Sequence, residues 1–140
     1  MNTTAVAEPP VPRPPRPWRR EVASFGYALK GIRTALASEP HLRFHAVAAV
    51  LVVTLGLWLR LPRHDWALLL LAIGAVWTAE LINTALETLV NLVSPEYHPL
   101  AGRTKDVAAG AVLVAALVAG VVGLLILGPP LWARLQLWLT

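Results

Sequence analysis

The sequence predicts an all-α polytopic membrane protein, in which an N-terminal amphipathic helix lying in the membrane interface precedes three transmembrane helices. Of the 140 residues, 56% are hydrophobic and only 14% are charged, and the mean hydropathy is +0.60. This composition is too apolar for a soluble domain of this length. The apolar residues form three runs that are long enough to cross a bilayer, with short polar segments between them.

The charged residues are few and unevenly placed. Seven of the twelve basic residues precede the first apolar run, and the net charge is +4. Next to membrane spans, such charge indicates orientation and contact with anionic lipids, so we expect no nucleic-acid partner. The chain has no cysteine, which excludes disulfides, thiolate nucleophiles and cysteine-based metal sites.

The N-terminal region divides into a tail and a helix. Residues 1–17 are rich in proline and lack the apolar core of a signal peptide, so we expect a disordered or polyproline-like tail. From residue 18 to about residue 37, apolar residues recur at helical spacing among basic ones. This pattern favours a helix in the interface plane over an ordinary cytosolic helix packed on the protein. Pro40 then fits the first turn of a new helix, with Ser38 or Glu39 near its cap.

The three apolar runs cover approximately residues 44–61, 66–93 and 107–127. A short polar turn separates the first two, and a polar loop over residues 94–106 precedes the third. At ~1.5 Å per residue the second run exceeds the ~30 Å hydrocarbon core, so its last turns should protrude. Gly128, Pro129 and Pro130 are expected to end the third helix. One membrane domain, residues 18–130, would thus lie between the N-terminal tail and a C-terminal tail, residues 131–140.

The basic residues also predict how the chain is oriented. An odd number of spans places the two termini on opposite sides of the membrane. The N-terminal region and the 94–106 loop together hold nine basic residues, against three on the other side. The positive-inside rule therefore predicts a multi-pass protein of the cytoplasmic membrane, with a cytoplasmic N-terminus and an external C-terminus.

A polar stripe interrupts the second apolar run. Glu80, Asn83, Glu87 and Asn91 recur at spacings of three and four residues, which places them on one face of a helix. A carboxylate at the centre of a membrane helix costs roughly 3 kcal/mol or more, and this run contains two. Such a stripe must face protein, water or a ligand rather than lipid. Two glutamates make a purely structural hydrogen-bond seam a poor explanation.

Further polar residues gather at the membrane face that we expect to be cytoplasmic. They are Glu39, His41, Arg43, His45, Glu96, His98, Lys105 and Asp106. Carboxylates and basic groups from different elements point to a metal–phosphate site, because Mg²⁺ prefers one or two carboxylates together with phosphate oxygens. Glu80, the deepest carboxylate, could then deprotonate a lipid hydroxyl. On spacing alone, an ion-coupled transporter that uses Glu80 and Glu87 is nearly as plausible.

Five motifs carry a resemblance to a known family. S-F-x-Y-A-x-x-G begins at residue 24, and E-x-H-x-R-F-H begins at residue 39. The most specific is E-L-I-N-T-A-L-E at residues 80–87, and E-Y-H-P-L-A and K-D-V-A-A-G-A begin at residues 96 and 105. Over about residues 20–127 the chain resembles the prokaryotic diacylglycerol kinase and undecaprenol kinase family of small membrane lipid kinases.

The resemblance implies an interfacial helix and three membrane helices, assembled as a homotrimer whose active sites are shared between subunits at the cytoplasmic face. It also implies phosphorylation of a lipid hydroxyl by MgATP without a P-loop, and no P-loop motif occurs in the chain. The H-P-L-A and K-D-V-A-A-G-A-V-L segments are more similar to the undecaprenol kinase branch, so undecaprenol is favoured over diacylglycerol as the acceptor. An ion-coupled transporter or a small membrane scaffold becomes a remote alternative.

The resemblance also implies roles for individual residues. By position, Glu80 matches the catalytic base at the lipid substrate, and Asn83 matches an asparagine that supports the site. Glu39 and Glu87 match the carboxylates that bind Mg²⁺. The nucleotide-binding positions are Arg20, Tyr27, Glu39, Glu87, Glu96, His98, Lys105 and Asp106.

Two positions depart from the family pattern. Asn91 stands where the family usually has aspartate, and His41 stands where many relatives have asparagine. Neither position is the base or a metal carboxylate, so the kinase assignment is unaffected. For His45, at the end of a predicted span, we favour a structural hydrogen bond over a place in the site.

Overall fold

The computed structural model describes the backbone of residues 17–139 and the side chains of residues 23–137. Over that range the chain forms four helices and no strand, which confirms the all-α prediction. The helices are α1 (Pro17–Ser38), α2 (Pro40–Leu59), α3 (Arg63–Val93) and α4 (Pro99–Leu139). The predicted proline-rich tail, residues 1–17, lies outside the described residues except for Pro17.

The chain divides into two compact units, one ending at Gly31 and one beginning at Ile32. In the first unit the described residues form the N-terminal part of α1, on which Phe25, Tyr27 and Leu29 are exposed. The helix predicted for residues 18–37 is confirmed to within one residue at each end. Its place in the membrane interface stays a prediction.

In the second unit, Glu39 separates α1 from α2. Its backbone is extended (φ −99°, ψ 112°), and Pro40 follows at the start of α2. Proline is favoured there because the first helical N–H groups have no partner within the helix. The backbone N–H of Glu39 donates to the carbonyl of Ala35 (2.8 Å), whereas its side chain makes no capping hydrogen bond. The carboxylate of Glu39 is therefore not used by the helix that it precedes.

A tight turn reverses the chain between α2 and α3. Arg60 has left-handed backbone angles (φ 56°, ψ 49°), and the N–H of Leu61 donates to the carbonyl of Gly56 (3.2 Å). Gly56 is buried against the ring of Trp66. A Cβ at this position would lie only 3.0 Å from the ring. The close approach of this ring to the α2 backbone depends on the glycine.

Helix α4 is longer than predicted at both ends. It begins at Pro99, so the link after α3 is only residues 94–98, and it continues through Pro129 and Pro130. The predicted end at residues 128–130 is wrong, and the residues assigned to a C-terminal tail continue the helix. Leu127 belongs to a buried cluster with Leu59 and Leu69, and Leu131 packs on the same cluster. This packing on both sides of the prolines maintains the helix although neither proline donates a backbone hydrogen bond.

Helices α2, α3 and α4 are each long and apolar enough to cross a membrane. At ~1.5 Å per residue, α3 and α4 are both longer than the ~30 Å hydrocarbon core is thick. Large apolar side chains are exposed along all three helices, as expected where lipid or another protein surface covers them. The chain is thus a membrane protein, with α3 packed against both α2 and α4.

Candidate active site

The polar stripe of α3 runs from the interior of the protein to its surface. Glu80 is buried, with 3% of its surface exposed, whereas Asn83 and Glu87 are half-buried and Asn91 is exposed. Because α3 is a continuous helix over this range, the four side chains follow one face, as predicted. The stripe therefore connects a buried carboxylate with the polar end of the helix.

Glu80 pairs with a side chain from the neighbouring helix. Nε2 of His45, on α2, lies 3.2 Å from Oε1 of Glu80. The His45 ring also meets the ring of Phe44 edge-on, with centroids 5.4 Å apart. The sequence favoured a structural hydrogen bond for His45, whereas its contact is with the carboxylate assigned as the base. His45, which sequence reasoning did not assign to the site, therefore contacts Glu80, the most deeply buried residue of the site.

Asn83 and Glu87, two neighbouring residues of the stripe, are joined by a hydrogen bond. Nδ2 of Asn83 donates to Oε1 of Glu87 at 3.1 Å, one turn further along α3. Three buried polar atoms around it have no hydrogen-bond partner among the described residues: Nε1 of Trp77, Oδ1 of Asn83 and Oγ1 of Thr84. Leaving such a group unpaired costs about 1–3 kcal/mol. Their location in two turns of α3 around Glu80 is typical of a surface that receives a polar ligand or a further protein segment.

Lys105 joins the end of the stripe to α4. Its Nζ donates to Oδ1 of Asn91 at 2.7 Å, across the link between the two helices. The structure thus brings together two positions that the sequence had marked for different reasons. Lys105 was assigned to the nucleotide, and Asn91 was the departure from the family pattern.

The predicted nucleotide residues in the link and in the first turns of α4, Glu96, His98 and Asp106, are exposed. In the link before α4, the hydroxyl of Ser94 donates to the backbone carbonyl of Glu96, and Nδ1 of His98 accepts the N–H of Leu100 at 3.2 Å. His98 therefore caps α4. Asp106 is exposed on the first turns of α4.

Two predicted nucleotide positions belong to the first unit. Tyr27 is exposed on α1. The side chain of Arg20 lies outside the described residues.

The described residues contain no group of three or more histidine, aspartate or glutamate side chains that could hold a metal ion. The predicted pair, Glu39 and Glu87, still suits Mg²⁺, which takes one or two protein carboxylates and completes its shell with water and phosphate oxygens. The Glu39 carboxylate is not used in capping α2, and Glu87 is oriented by the amide of Asn83. The donor chemistry therefore fits a magnesium ion that arrives with its substrate.

Two largely apolar cavities adjoin the stripe. One of about 990 Å³ lies between α3 and α4, and the polar part of its lining comes from Thr78, Asn83, Arg103 and Thr104. The other, of about 490 Å³, lies among α2, α3 and α4, and His45 and Trp77 supply its polar groups. Small residues of α4, such as Gly120 and Gly123, line much of the second cavity. His45 thus contacts both this apolar space and the buried carboxylate.

Comparison with known proteins identifies the group to which this arrangement belongs. The profile of the prokaryotic diacylglycerol kinases matches residues 26–127. The chain belongs to the prokaryotic diacylglycerol kinase family. It is 42% identical over 108 residues to an undecaprenol kinase of Bacillus subtilis, covering 77% of this chain and 88% of that protein.

Relatives with a different activity, diacylglycerol kinases, match at similar identity. A diacylglycerol kinase of Synechocystis is 44% identical over 111 residues, which cover 79% of this chain and 63% of that protein. A diacylglycerol kinase of Escherichia coli is 37% identical over 100 residues, covering 71% of this chain and 82% of that protein. Membership of the diacylglycerol kinase family confirms the resemblance drawn from the motifs, and the transporter alternative gains no support. The family match includes every predicted site residue except Arg20.

Proposed function

We propose that this protein is a lipid kinase that transfers the γ-phosphate of ATP to the hydroxyl of a membrane lipid alcohol. Family membership supports the reaction class, since the relatives are lipid kinases. The observation that carries the proposal is Glu80, a buried carboxylate in a largely apolar helix, paired with a histidine from the neighbouring helix. A lipid hydroxyl presented from the bilayer can reach a base at this depth, which water-soluble acceptors cannot.

In the proposed reaction, Glu80 is the general base. It accepts the proton of the lipid hydroxyl as the lipid oxygen bonds to the γ-phosphorus, and the bond from that phosphorus to ADP breaks. Lys105, at the exposed end of the stripe, neutralises phosphate oxygens of the nucleotide. Exposed Glu96, His98 and Asp106 lie in the link and first turns of α4, where the rest of a nucleotide would extend.

Glu39 and Glu87 would hold the Mg²⁺ that accompanies ATP. When bound, this ion would supply positive charge that offsets the negative charge developing during transfer. Asn83 keeps the Glu87 carboxylate in one orientation through its hydrogen bond. Its unpaired Oδ1 and the unpaired hydroxyl of Thr84 supply further polar contacts beside the reacting groups.

Undecaprenol is the acceptor that we favour, and diacylglycerol is the second candidate. The H-P-L-A and K-D-V-A-A-G-A-V-L segments support undecaprenol, as does the match to an undecaprenol kinase over most of its length. Diacylglycerol is supported by relatives of similar identity. Both lipids present one hydroxyl on a long apolar body, which suits the apolar cavity beside His45.

The test is transfer of labelled phosphate. Purified protein is incubated with γ-labelled ATP and either undecaprenol or diacylglycerol, and the label in the organic phase is measured. Both lipids are tested as acceptors, and we expect undecaprenol to give the larger kcat/KM. A larger kcat/KM for diacylglycerol would make diacylglycerol the favoured acceptor. Label in neither lipid would contradict the kinase proposal.

We further propose a homotrimer in the cytoplasmic membrane, with active sites shared between subunits and the nucleotide on the cytoplasmic side. The resemblance supports the trimer, and the charge asymmetry supports the orientation. The exposed apolar side chains of α2–α4 provide surface for such contacts. For the trimer, light scattering in detergent should give three chains of 15.1 kDa.

For the orientation, a single cysteine at position 98 should resist a membrane-impermeant reagent applied to intact cells.

Asn91→Asp should weaken the apparent affinity for MgATP. Aspartate in place of Asn91 would form an ion pair with Lys105, whose Nζ now donates to a neutral amide at 2.7 Å. The lysine would then be less available to phosphate. Since exposed ion pairs contribute up to about 1 kcal/mol, we expect KM for MgATP to rise about two- to fivefold.

The ratio of kcat/KM for undecaprenol and diacylglycerol serves as the internal control in this experiment, because Asn91 is exposed and remote from Glu80. It should not change. If this ratio changes while the MgATP constants do not, Asn91 belongs to the lipid site and our placement of the nucleotide is wrong.

A further inference from the structure

His45 is the side chain that holds Glu80. Among the residues whose side chains are described, only two histidine–carboxylate pairs occur, His45 with Glu80 and His64 with Asp65. The second pair joins the exposed His64 to the half-buried Asp65 at the start of α3, whereas Glu80 is buried fifteen residues further along the same helix. The two pairs have nearly equal distances, 3.2 and 3.1 Å, but very different surroundings.

No other described side chain donates to Glu80. Asn83, the nearest amide on its face of α3, gives its Nδ2 to Glu87 instead. A buried carboxylate needs a donor, because an unpaired buried charge is strongly destabilising. His45 is in position to be this donor, and since a carboxylate can only accept, we assign the hydrogen to Nε2.

We propose that His45 is a positioning residue that fixes the orientation of the Glu80 carboxylate, with Oε1 bound to Nε2–H and Oε2 left to face the lipid hydroxyl. This inference rests on the proposed kinase function and adds a residue to it. The His45 ring is itself held edge-on against Phe44, and it lines the apolar cavity that we assign to the lipid. It therefore lies where the lipid and the base meet.

The proton balance leaves His45 unchanged. The proton of the lipid hydroxyl moves to Oε2 of Glu80, and the lipid oxygen bonds to the γ-phosphorus while the bond between that phosphorus and the bridging oxygen of ADP breaks. Nε2 of His45 keeps its hydrogen throughout and donates it to Oε1. The role of the histidine is thus geometric, and a neutral donor of the same reach should replace it.

Three variants test this role: His45→Leu, His45→Gln and, as a matched control, His64→Leu. His45→Leu should lower kcat about 10- to 100-fold, the range expected when a hydrogen bond to a charged group is lost. KM for MgATP should change little, because we place the nucleotide at the Lys105 end of the stripe and not at His45. His45→Gln should recover most of kcat, since its amide nitrogen reaches the position of Nε2. His64→Leu should match the wild type.

A measurement that does not depend on turnover accompanies these rates. In protein labelled with ¹⁵N-histidine, the His45 signal, assigned by its loss in His45→Gln, should shift in Glu80→Gln and stay in place in Asp65→Asn. Thermal unfolding in detergent identifies any variant that fails to fold.

The possible outcomes separate the two proposals. Three results would each overturn the role of His45. They are an unchanged kcat in His45→Leu, an equal loss of kcat in folded His45→Leu and His45→Gln, and a His45 signal that does not shift in Glu80→Gln. If the wild-type protein labels neither lipid, the kinase function is refuted instead. The positioning role then fails as well, even if the signal shift shows that His45 contacts Glu80.

Discussion

Replacing Glu80 by glutamine should abolish most turnover while leaving the fold intact. Glutamine has the same shape, and its Oε1 can still accept the hydrogen that Nε2 of His45 now donates to the carboxylate at 3.2 Å. What the variant loses is the ability to take a proton from the lipid hydroxyl. General bases typically contribute ~10²–10⁴-fold to the rate, so we expect kcat to fall by that factor.

The measurement is phosphate transfer to lipid under saturating MgATP, with Asp65→Asn as the matched control. Asp65 also pairs with a histidine, at 3.1 Å, but it lies in the first turn of α3, fifteen residues before Glu80 and away from the stripe. Its amide variant should retain the wild-type rate. If folded Glu80→Gln retained a near wild-type kcat, the base would have to be another residue.

Replacing Glu39 or Glu87 by glutamine should raise the Mg²⁺ concentration needed for half-maximal activity. Mg²⁺ prefers charged oxygen ligands, and a neutral amide oxygen binds it less strongly. Loss of an outer-shell partner alone can cost ~10- to 100-fold in metal affinity, so removal of a direct ligand should have an effect at least as large as ~10-fold. Asn83 can still donate to the glutamine at position 87, which keeps the local geometry.

The two variants should be titrated with Mg²⁺ at fixed ATP, alongside Asp65→Asn as a variant with the same loss of charge elsewhere on α3. A large excess of Mg²⁺ should restore part of the activity of each glutamine variant, whereas it should not restore Glu80→Gln. If both variants follow the wild-type titration, these carboxylates are not ligands and the donor set must be assigned anew.

Much of the molecule was predictable from local pattern. Helix type and number follow from the length and periodicity of apolar runs, because a chain in lipid must satisfy its backbone hydrogen bonds within each helix. The stripe of Glu80, Asn83, Glu87 and Asn91 follows from helical spacing in the same way. The break at Glu39 and Pro40 was likewise visible, since proline is suited to a first helical turn.

The end of α4 was not predictable in this way. Two consecutive prolines after a glycine normally end a helix. They do not do so here, because Leu127 and Leu131 pack on the Leu59–Leu69 cluster on either side of them. Tertiary packing contributes more than local propensity, which is a weak preference that a buried contact often overrides.

The sequence by itself determined the all-α membrane class, the family and the polar face of α3, because each depends on residues that are close in the chain or on motifs. Only the tertiary structure decided which residues meet across helices. His45 lies 35 positions before Glu80 and Lys105 lies 14 after Asn91, so neither contact follows from helical periodicity. Such pairs depend on how α2, α3 and α4 pack, and this packing makes His45 the donor to the buried carboxylate.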